Sequence, residues 1–472
     1  MAADHRAPQA RPAWTMALTS LAFFMVALDS LVVVTALPAI HRDLGGSMSV
    51  LEWTVNAFTL VFAAGIITAA ALGDRYGRVR VFSIGLAVFT AASAACALAP
   101  NAGILIAARM LQGLGAALVM PVSLTILTAA FAPERRGAAI GIWGGLGGLA
   151  VASGPLVGGA ITQGLDWHWI FWVNVPIGVA AIVLSRLRLT ESRGPRTRFD
   201  LPAVGLAGGG AAALVWGLTR AGEVGSATGE VILALGVGAA LGAAFVLWER
   251  RAADPMLPLR LFRSRSFTVA NCTGFLMSGA IFSAAFLMAQ YFQLSLGYSP
   301  LDTGIRLLPW TATPLLVAPL AGILADRVGA RPVLATGMLL QGVGLGWIAI
   351  LATATVGYSE LVLPLIVAGV GISMALPVVA AAVMGAAAPS DMGKASGVNS
   401  TVQRLGSSFA IAVAAAVFRA NGHLGSAASY AIGFRPALAV IAGFSLLGVF
   451  TALGIGKSTA AATATQLEAA AV

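Results

Sequence analysis

Charge is scarce in this chain: Asp, Glu, Lys and Arg make up 10% of its 472 residues, where a soluble domain carries about 25%. Water is therefore not its main solvent. Cysteine is nearly missing, and Cys96 and Cys272 both lie in apolar segments, which excludes a disulfide framework and leaves no metal-ligand spacing. Histidine is as rare, with four residues; His41, His168 and His423 fall between apolar runs, where residence at an interface is favoured over catalysis. There is no Gly-rich phosphate loop ending in Lys and Ser or Thr, so ATP is not the expected energy source. No nucleophile, base and acid set occurs either, and enzyme activity is not expected. The first thirteen residues are polar, and the apolar stretch after them is too long for a signal-peptide core, so it reads as a retained first span.

What the chain has in quantity is apolar sequence, at 58% hydrophobic residues and a mean hydropathy of +0.90. Stretches of about 20 residues, enough to cross about 30 Å of hydrocarbon, are placed at 14–38, 51–72, 81–100, 103–130, 137–163, 169–189, 201–220, 229–249, 267–291, 301–324, 332–354, 359–380, 393–418 and 434–456. The expected fold is an all-α polytopic membrane protein with fourteen transmembrane helices. Residues 1–13 form an N-terminal tail, 14–189 a six-helix bundle, 190–265 a linker with two additional helices, 266–456 a second six-helix bundle and 457–472 a C-terminal tail.

An even number of spans puts both termini on one side. If that side is the cytoplasm, 21 of the 28 Lys and Arg fall in inner segments and five in outer loops. That bias sets the orientation in an inner, or cell, membrane. The formal charge of +10 is then explained by topology and by contact with anionic lipid heads, without nucleic acid.

Two charged strings nearly copy each other, Gly73-Asp74-Arg75-Tyr76-Gly77-Arg78-Val79-Arg80 and Gly322-Ile323-Leu324-Ala325-Asp326-Arg327-Val328-Gly329-Ala330-Arg331. Each reads as a tight turn permitted by glycine and held at the membrane surface by its cations. Further echoes follow at an offset of 256: Gly113-Leu114-Gly115 with Pro121 against Gly369-Val370-Gly371 with Pro377, and Pro133, Gly137 and Gly141 against Pro389, Gly393 and Gly397. Such a duplication implies two similarly oriented bundles around a pseudo-twofold axis along the membrane normal, with a site between them.

These residues resemble the major facilitator superfamily, and within it the fourteen-helix drug:proton antiporter branch. Arg109-Met110-Leu111-Gln112-Gly113-Leu114-Gly115 is similar to the family's Arg-x-x-Gln-Gly-x-Gly, and Gly154-Pro155-Leu156-Val157-Gly158-Gly159 to its antiporter motif, with Ala150 at the usual first Gly. The string Trp167-His168-Trp169-Ile170-Phe171-Trp172-Val173-Asn174-Val175-Pro176-Ile177-Gly178 resembles the start of span six in that branch. Leu28-Asp29-Ser30-Leu31-Val32-Val33-Val34-Thr35-Ala36-Leu37-Pro38 resembles the end of its span one, with Leu31 and Val34 in place of Thr and Asn. The resemblance implies export of hydrophobic or amphipathic compounds against a proton gradient, with no cofactor. The substrate is either a range of drugs and antibiotics or one self-made metabolite. A proton-coupled nutrient symporter is the alternative that the Gly154-Pro155 motif argues against, and the protein is expected to act as a monomer.

Asp29 is an acid deep inside a span, where an unpaired carboxylate costs at least ~2.5 to 3.5 kcal/mol. Burial and a nearby guanidinium act on a carboxylate in opposite senses, so a change in the separation of Asp29 and Arg109 between conformations would load and release a proton. The alternative for Asp29 is a structural hydrogen bond, and for Arg109 satisfaction by carbonyls or Gln112. Gly154, Gly158 and Gly159 would let helices approach closely while Pro155 bends span five. By the resemblance, Asp74 docks at the start of span thirteen near Gly393 when the inner side is closed. Arg75, Gly77 and Arg78, with Asp326 and Arg327 in the second copy, complete that gate; a turn that only sets topology is the alternative. Met25, Phe58, Gln112, Trp143, Trp310, Met374, Asn399, Gln403 and Arg404 are candidates for the cavity wall, fewer than half of the apolar ones being expected to face it.

Overall fold

The computed structural model describes residues 12–131, 133–193, 200–224, 228–252, 255, 259–387 and 391–456. The expected tails at 1–11 and 457–472, and the arginines at 196 and 198 of the linker, lie outside them. The first half comprises α1 (Pro12–Leu44), α2 (Met48–Tyr76), α3 (Arg78–Ala97), α4 (Ala102–Ala130), α5 (Pro133–Gly164), the one-turn α6 (Trp169–Trp172) and α7 (Asn174–Arg188). Two helices follow, α8 (Leu201–Val224) and α9 (Gly229–Arg251). The second half comprises α10 (Arg265–Gln290), α11 (Pro300–Thr311), α12 (Thr313–Val328), α13 (Ala330–Leu351), α14 (Tyr358–Gly385), α15 (Met392–Asn421) and α16 (Ala427–Leu453). Among the described residues, thirteen helical segments are long and apolar enough to span a membrane, and fourteen when the bent α5 is counted as one span.

Local chemistry accounts for the breaks. Trp172 and Asn174 flank a single interrupting residue, so α6 and α7 form one span of the sequence reading, and α11 and α12 form another, interrupted at Ala312 beside Pro314. Proline cannot donate to the helix ladder. In α5 the segments Ile142–Ala150 and Ser153–Gly164 meet at 43°, in the turn preceding Pro155.

The duplication is visible in the packing. Helix α3 packs on α4, and α13 on α14; α1 packs on α5, and α10 on α15; α3 packs on α7, and α13 on α16. Individual glycines repeat the same contacts. A Cβ on Gly113 would meet the carbonyl of Phe58 and one on Gly369 the carbonyl of Trp310; Gly115 faces the backbone of Phe89 and Gly371 that of Gln341. Each pair of partners is 252 residues apart, so one backbone arrangement is built twice. Both charged strings also turn alike, with Gly77 at φ 108° and Gly329 at φ 90°, a region that side-chain-bearing residues rarely adopt.

The halves meet along two seams, α2 against α15 and α5 against α11. Helix α8 lies across the first seam, touching α2 and α15, and α9 packs on α8. Leu60, Val215 and Ala412 form the apolar contact among α2, α8 and α15. The two additional helices therefore buttress one seam.

Candidate functional site

Asp29 lies inside the first half with 3% of its surface exposed, beside Arg109 at 1%. The Arg109 guanidinium donates to Asp29 Oδ2 at 2.5 Å and to Gln112 Oε1 at 2.6 Å, and its Nε donates to the Thr54 carbonyl at 3.2 Å. The opposite oxygen, Asp29 Oδ1, accepts from Gln112 Nε2 at 2.8 Å and from Asn174 Nδ2 at 3.1 Å. Ser93 accepts from both amides, at 3.3 Å and 3.1 Å, and donates to the Phe171 carbonyl at 2.9 Å. The rings of Phe58 and Phe171 flank the guanidinium, with centroids 4.3 Å and 5.8 Å from its carbon.

Five helical elements thus converge on one carboxylate: α1 brings Asp29, α2 Phe58, α3 Ser93, α4 Arg109 and Gln112, and α7 Asn174. Three N–H donors aimed at two oxygens match an ionised carboxylate, which is acceptor-only. Oδ1 accepts twice, so a proton placed on it would displace one of its two amide bonds. The network is confined to the first half. At the repeat positions, Ser93, Arg109 and Gln112 are replaced by the buried apolar Leu345, Leu365 and Ala368.

Sequence reasoning named Asp29, Arg109 and Gln112, and the structure brings the three together, with Gln112 inside the carboxylate network instead of on a cavity wall. Asn174 stood unremarked within the Trp167–Gly178 string. Ser93 had no signal, because a hydroxyl in an alanine-rich run looks like any helix packing residue.

The antiporter motif faces both neighbours of α5. A Cβ on Gly154 or Gly158 would strike Leu31, Val32 or Thr35 of α1, and one on Gly159 would strike the Pro300 carbonyl of α11. The relation is reciprocal, since Gly304 of α11 is pressed against the backbone of Pro155 and Leu156. Gly145, earlier in the same helix, has open space around it.

Bonds between the halves gather at the end of the bundle that is poor in arginine. Gln293 donates to the Thr35 carbonyl at 2.8 Å, and Leu301 N donates to Gln163 Oε1 at 3.1 Å. Across the other seam, Arg419 of α15 donates to Glu52 Oε2 of α2 at 3.0 Å and to the Thr219 carbonyl of α8 at 2.9 Å, while Thr219 Oγ1 donates to Glu52 Oε1 at 2.5 Å. Glu52 is fully buried and Arg419 is 11% exposed. The spans read from the sequence, 51–72 and 393–418, leave Glu52 and Arg419 at span ends, where charges are ordinarily solvated.

The gate expected at the arginine-rich end belongs to a state closed on that side. Among the described residues Asp74 pairs with Arg78, four residues on across the Gly77 turn, at 2.8 Å; the surroundings of Gly393 and the Asp326 side chain lie outside the described residues. The start of α15 is engaged by the linker instead, through Arg260 to Asp391 at 2.8 Å and Lys394 to the Pro255 carbonyl at 3.4 Å. Arg75 lies over the Tyr76 ring, and Arg327 is exposed. At Gly77 the turn is held by Glu191, whose carboxylate accepts from the Val79 and Arg80 amides at 2.9 Å and 3.0 Å. An acid there complements the N-terminus of α3.

Several cavity candidates prove to be packing residues. Met25 and Phe58 are buried in the core of the first half and Trp310 in the other large core, because each sits on a helix face turned to its neighbours. Trp143 stacks on Phe23 with centroids 4.0 Å apart, and Met374 packs against the second core. Asn399 and Gln403 face Gly274 of α10. Arg404 lies between Phe62 of α2 and Phe282 of α10.

Comparison with known proteins agrees with this architecture. The sequence model of the Major Facilitator Superfamily matches residues 19–307 and 270–469. The chain is 35% identical over 407 residues to the tetracenomycin C resistance and export protein of Streptomyces glaucescens, covering 85% of this chain and 75% of that one. It is 35% identical over 410 residues to the multidrug resistance protein Stp of Mycobacterium tuberculosis, covering 86% and 76%. With the methylenomycin A resistance protein of Streptomyces coelicolor it shares 33% over 410 residues, 86% of each chain. Among solved structures, a POT family transporter superposes with a TM-score of 0.70 at 15% identity over 94% of this chain and 96% of that one, a likeness of fold.

Proposed function

The chain is a member of the Major Facilitator Superfamily, and on that premise we propose that it is a proton-coupled antiporter exporting hydrophobic or amphipathic antibiotics and other drugs by alternating access. The observation that carries the coupling is the Asp29 network. A carboxylate that is 3% exposed and bonded to Arg109, Gln112 and Asn174 loses its charge-assisted bonds when it takes up a proton, and those bonds tie α1 to α4 and α7. Proton binding is thereby linked to helix position. The names of the resistance and export relatives support the drug or antibiotic cargo.

The arginine-rich end faces the cytoplasm in this reading, with both termini there and its arginines against anionic lipid heads. The described conformation is then closed to the outside, sealed by the contacts of α5 with α11 and of α2 with α15. Outward opening would separate those seams, admit water and a proton to Asp29, and let cargo leave. Return to the described state would restore the three donors and release the proton inward. One chain contains both halves and both seams, which favours a monomer as the working unit, driven by the proton gradient without a cofactor.

Sealed proteoliposomes reporting lumenal pH and cargo together test this. Asp29→Asn keeps the shape but removes the titratable oxygen, and gradient-driven transport should fall to background while cargo exchange without a gradient persists. Unchanged proton-driven transport in Asp29→Asn would sink the proposal. A dedicated metabolite exporter would give the same coupling with one cargo in a panel, whereas inward co-transport of proton and cargo would mark a symporter.

A further inference from the structure

Arg404 is the feature that the coupling network leaves unused. It sits 12 residues from Met392, the first residue of α15, which at 1.5 Å per residue is about 18 Å from that helix end. Its neighbours lie at matching depth. Phe62 is 14 residues from either end of α2, and Phe282 is 17 residues into α10. The residue therefore stands near the middle of a layer about 30 Å thick, too deep for its side chain to snorkel to either surface.

The guanidinium carbon lies 4.5 Å from the Phe62 ring centroid and 5.7 Å from that of Phe282. Among the described residues it makes those two ring contacts and no hydrogen bond or ion pair. Phenyl faces attract a cation, but they cannot fill the five N–H donors of an arginine. The buried acids nearest in kind, Asp29 and Glu52, are already paired with Arg109 and Arg419. Arg404 is partly exposed, whereas Phe62 beside it is fully buried, and its two ring neighbours come from α2 of one half and α10 of the other, which places it at the junction of the halves.

We infer that Arg404, with Phe62 and Phe282, is the subsite for the anionic group of an aromatic substrate carrying a carboxylate, sulfonate or ionised phenol. The guanidinium fork pairs with two acceptor oxygens, and Phe282, itself partly exposed, leaves apolar surface for an arene. A cationic compound would meet like charge at the midplane. Lipid headgroups are excluded as occupants by depth. This assignment rests on the efflux reading for its biological sense, though not for its chemistry.

The test uses the full chain in lipid nanodiscs and two probes sharing one arene, 1-anilinonaphthalene-8-sulfonate and its uncharged parent N-phenyl-1-naphthylamine, with empty nanodiscs subtracted. Wild type should bind the sulfonate more tightly than the parent. Arg404→Gln should weaken the sulfonate by roughly ten- to a hundred-fold, as loss of a hydrogen bond to a charged group does, and leave the parent within about two-fold. Arg404→Lys, which keeps the charge but not the fork, should fall between. Unchanged sulfonate binding in Arg404→Gln, equal losses for both probes, or a wild type that binds only the parent would each overturn the assignment. Equal losses are what a merely structural arginine between two phenyl rings would give. Binding is read without a gradient, so a failure of proton-driven transport would overturn the efflux reading and leave this result standing.

Discussion

The ion pair of Glu52 and Arg419 should hold one conformation of the transporter, and breaking it should be measurable as a shift between states. Its carboxylate is fully buried and its guanidinium 11% exposed, and the bond crosses the seam between α2 and α15, with Thr219 of α8 serving both partners. Removing one member of a buried pair costs about 3 to 5 kcal/mol, much of it from the charge left behind. That cost falls on the sealed state, because in a state with the seam parted the surviving charge reaches water. A shift of about 3 kcal/mol is more than a hundred-fold in the ratio of sealed to parted states. The readout is disulfide formation between Gln163→Cys and Leu301→Cys, which bracket the other seam at the same end of the bundle. It is run in a Cys272→Ser background, since Cys272 is exposed and Cys96 buried. Glu52→Gln should slow crosslinking by at least ten-fold, and Glu52→Gln with Arg419→Met should recover part of it, because no buried charge is then stranded. Equal crosslinking in wild type and Glu52→Gln, or a double variant no better than the single ones, would refute the argument.

Three further outcomes follow from the geometry. Gly159→Ala should part the seam between α5 and α11, since its Cβ would overlap the Pro300 carbonyl, whereas Gly145→Ala, with open space around it, should crosslink as wild type does. Gly77→Ala and Gly329→Ala both place a side chain at positive φ, a strain of about 1 to 3 kcal/mol, but only the former also collides with the Glu191 carboxylate; thermal unfolding in detergent should show the larger loss for Gly77→Ala. Asn174→Leu removes one of the two donors to Asp29 Oδ1, and initial rates of gradient-driven transport should fall by roughly ten-fold or more, the effect of a hydrogen bond to a charged group. Rates equal to wild type would leave Asn174 no part in coupling.

How much of this was readable beforehand depended on contrast. Asp29 and Arg109 stood out because a charge inside an apolar run needs a partner, and the two had few alternatives to each other. The duplicated strings gave the repeat because Gly77 and Gly329 answer the same backbone demand. Glu52, Thr219 and Arg419 were invisible for the opposite reason. A charge within a turn of a helix end is normally solvated, and only the tertiary placement of α8 across the seam buries these three. Ser93 and Glu191 failed similarly: each acts through a bond to a residue about 80 or 110 positions away. The aromatic and methionine candidates misled, because a large apolar side chain in a membrane helix fits a core, a lipid face and a cavity equally well.

The two halves share a backbone yet divide the chemistry. Where α3 and α4 carry Ser93, Arg109 and Gln112, the repeat positions in α13 and α14 carry Leu345, Leu365 and Ala368, all buried. In the proposed coupling, a change at Asp29 acts first on the packing of the first half, and the second half follows through the contacts between them. The structure offers three such connections at one end: Gly159 and Gly304 locking α5 to α11, Glu52 with Arg419 locking α2 to α15, and Gln293 donating to the Thr35 carbonyl of α1 itself. Helix α1 joins the network to the first of these, since Asp29 lies on the helix that Gly154 and Gly158 clasp. A displacement of α1 on protonation would thus reach α5 at once, and α11 through Gly159. The second seam has no comparable route from Asp29 except through α2, whose Thr54 carbonyl is held by Arg109 only two residues from Glu52. Arg109 is accordingly the residue that joins these two routes, because it binds Asp29 Oδ2 on one side and the helix of the Glu52 latch on the other.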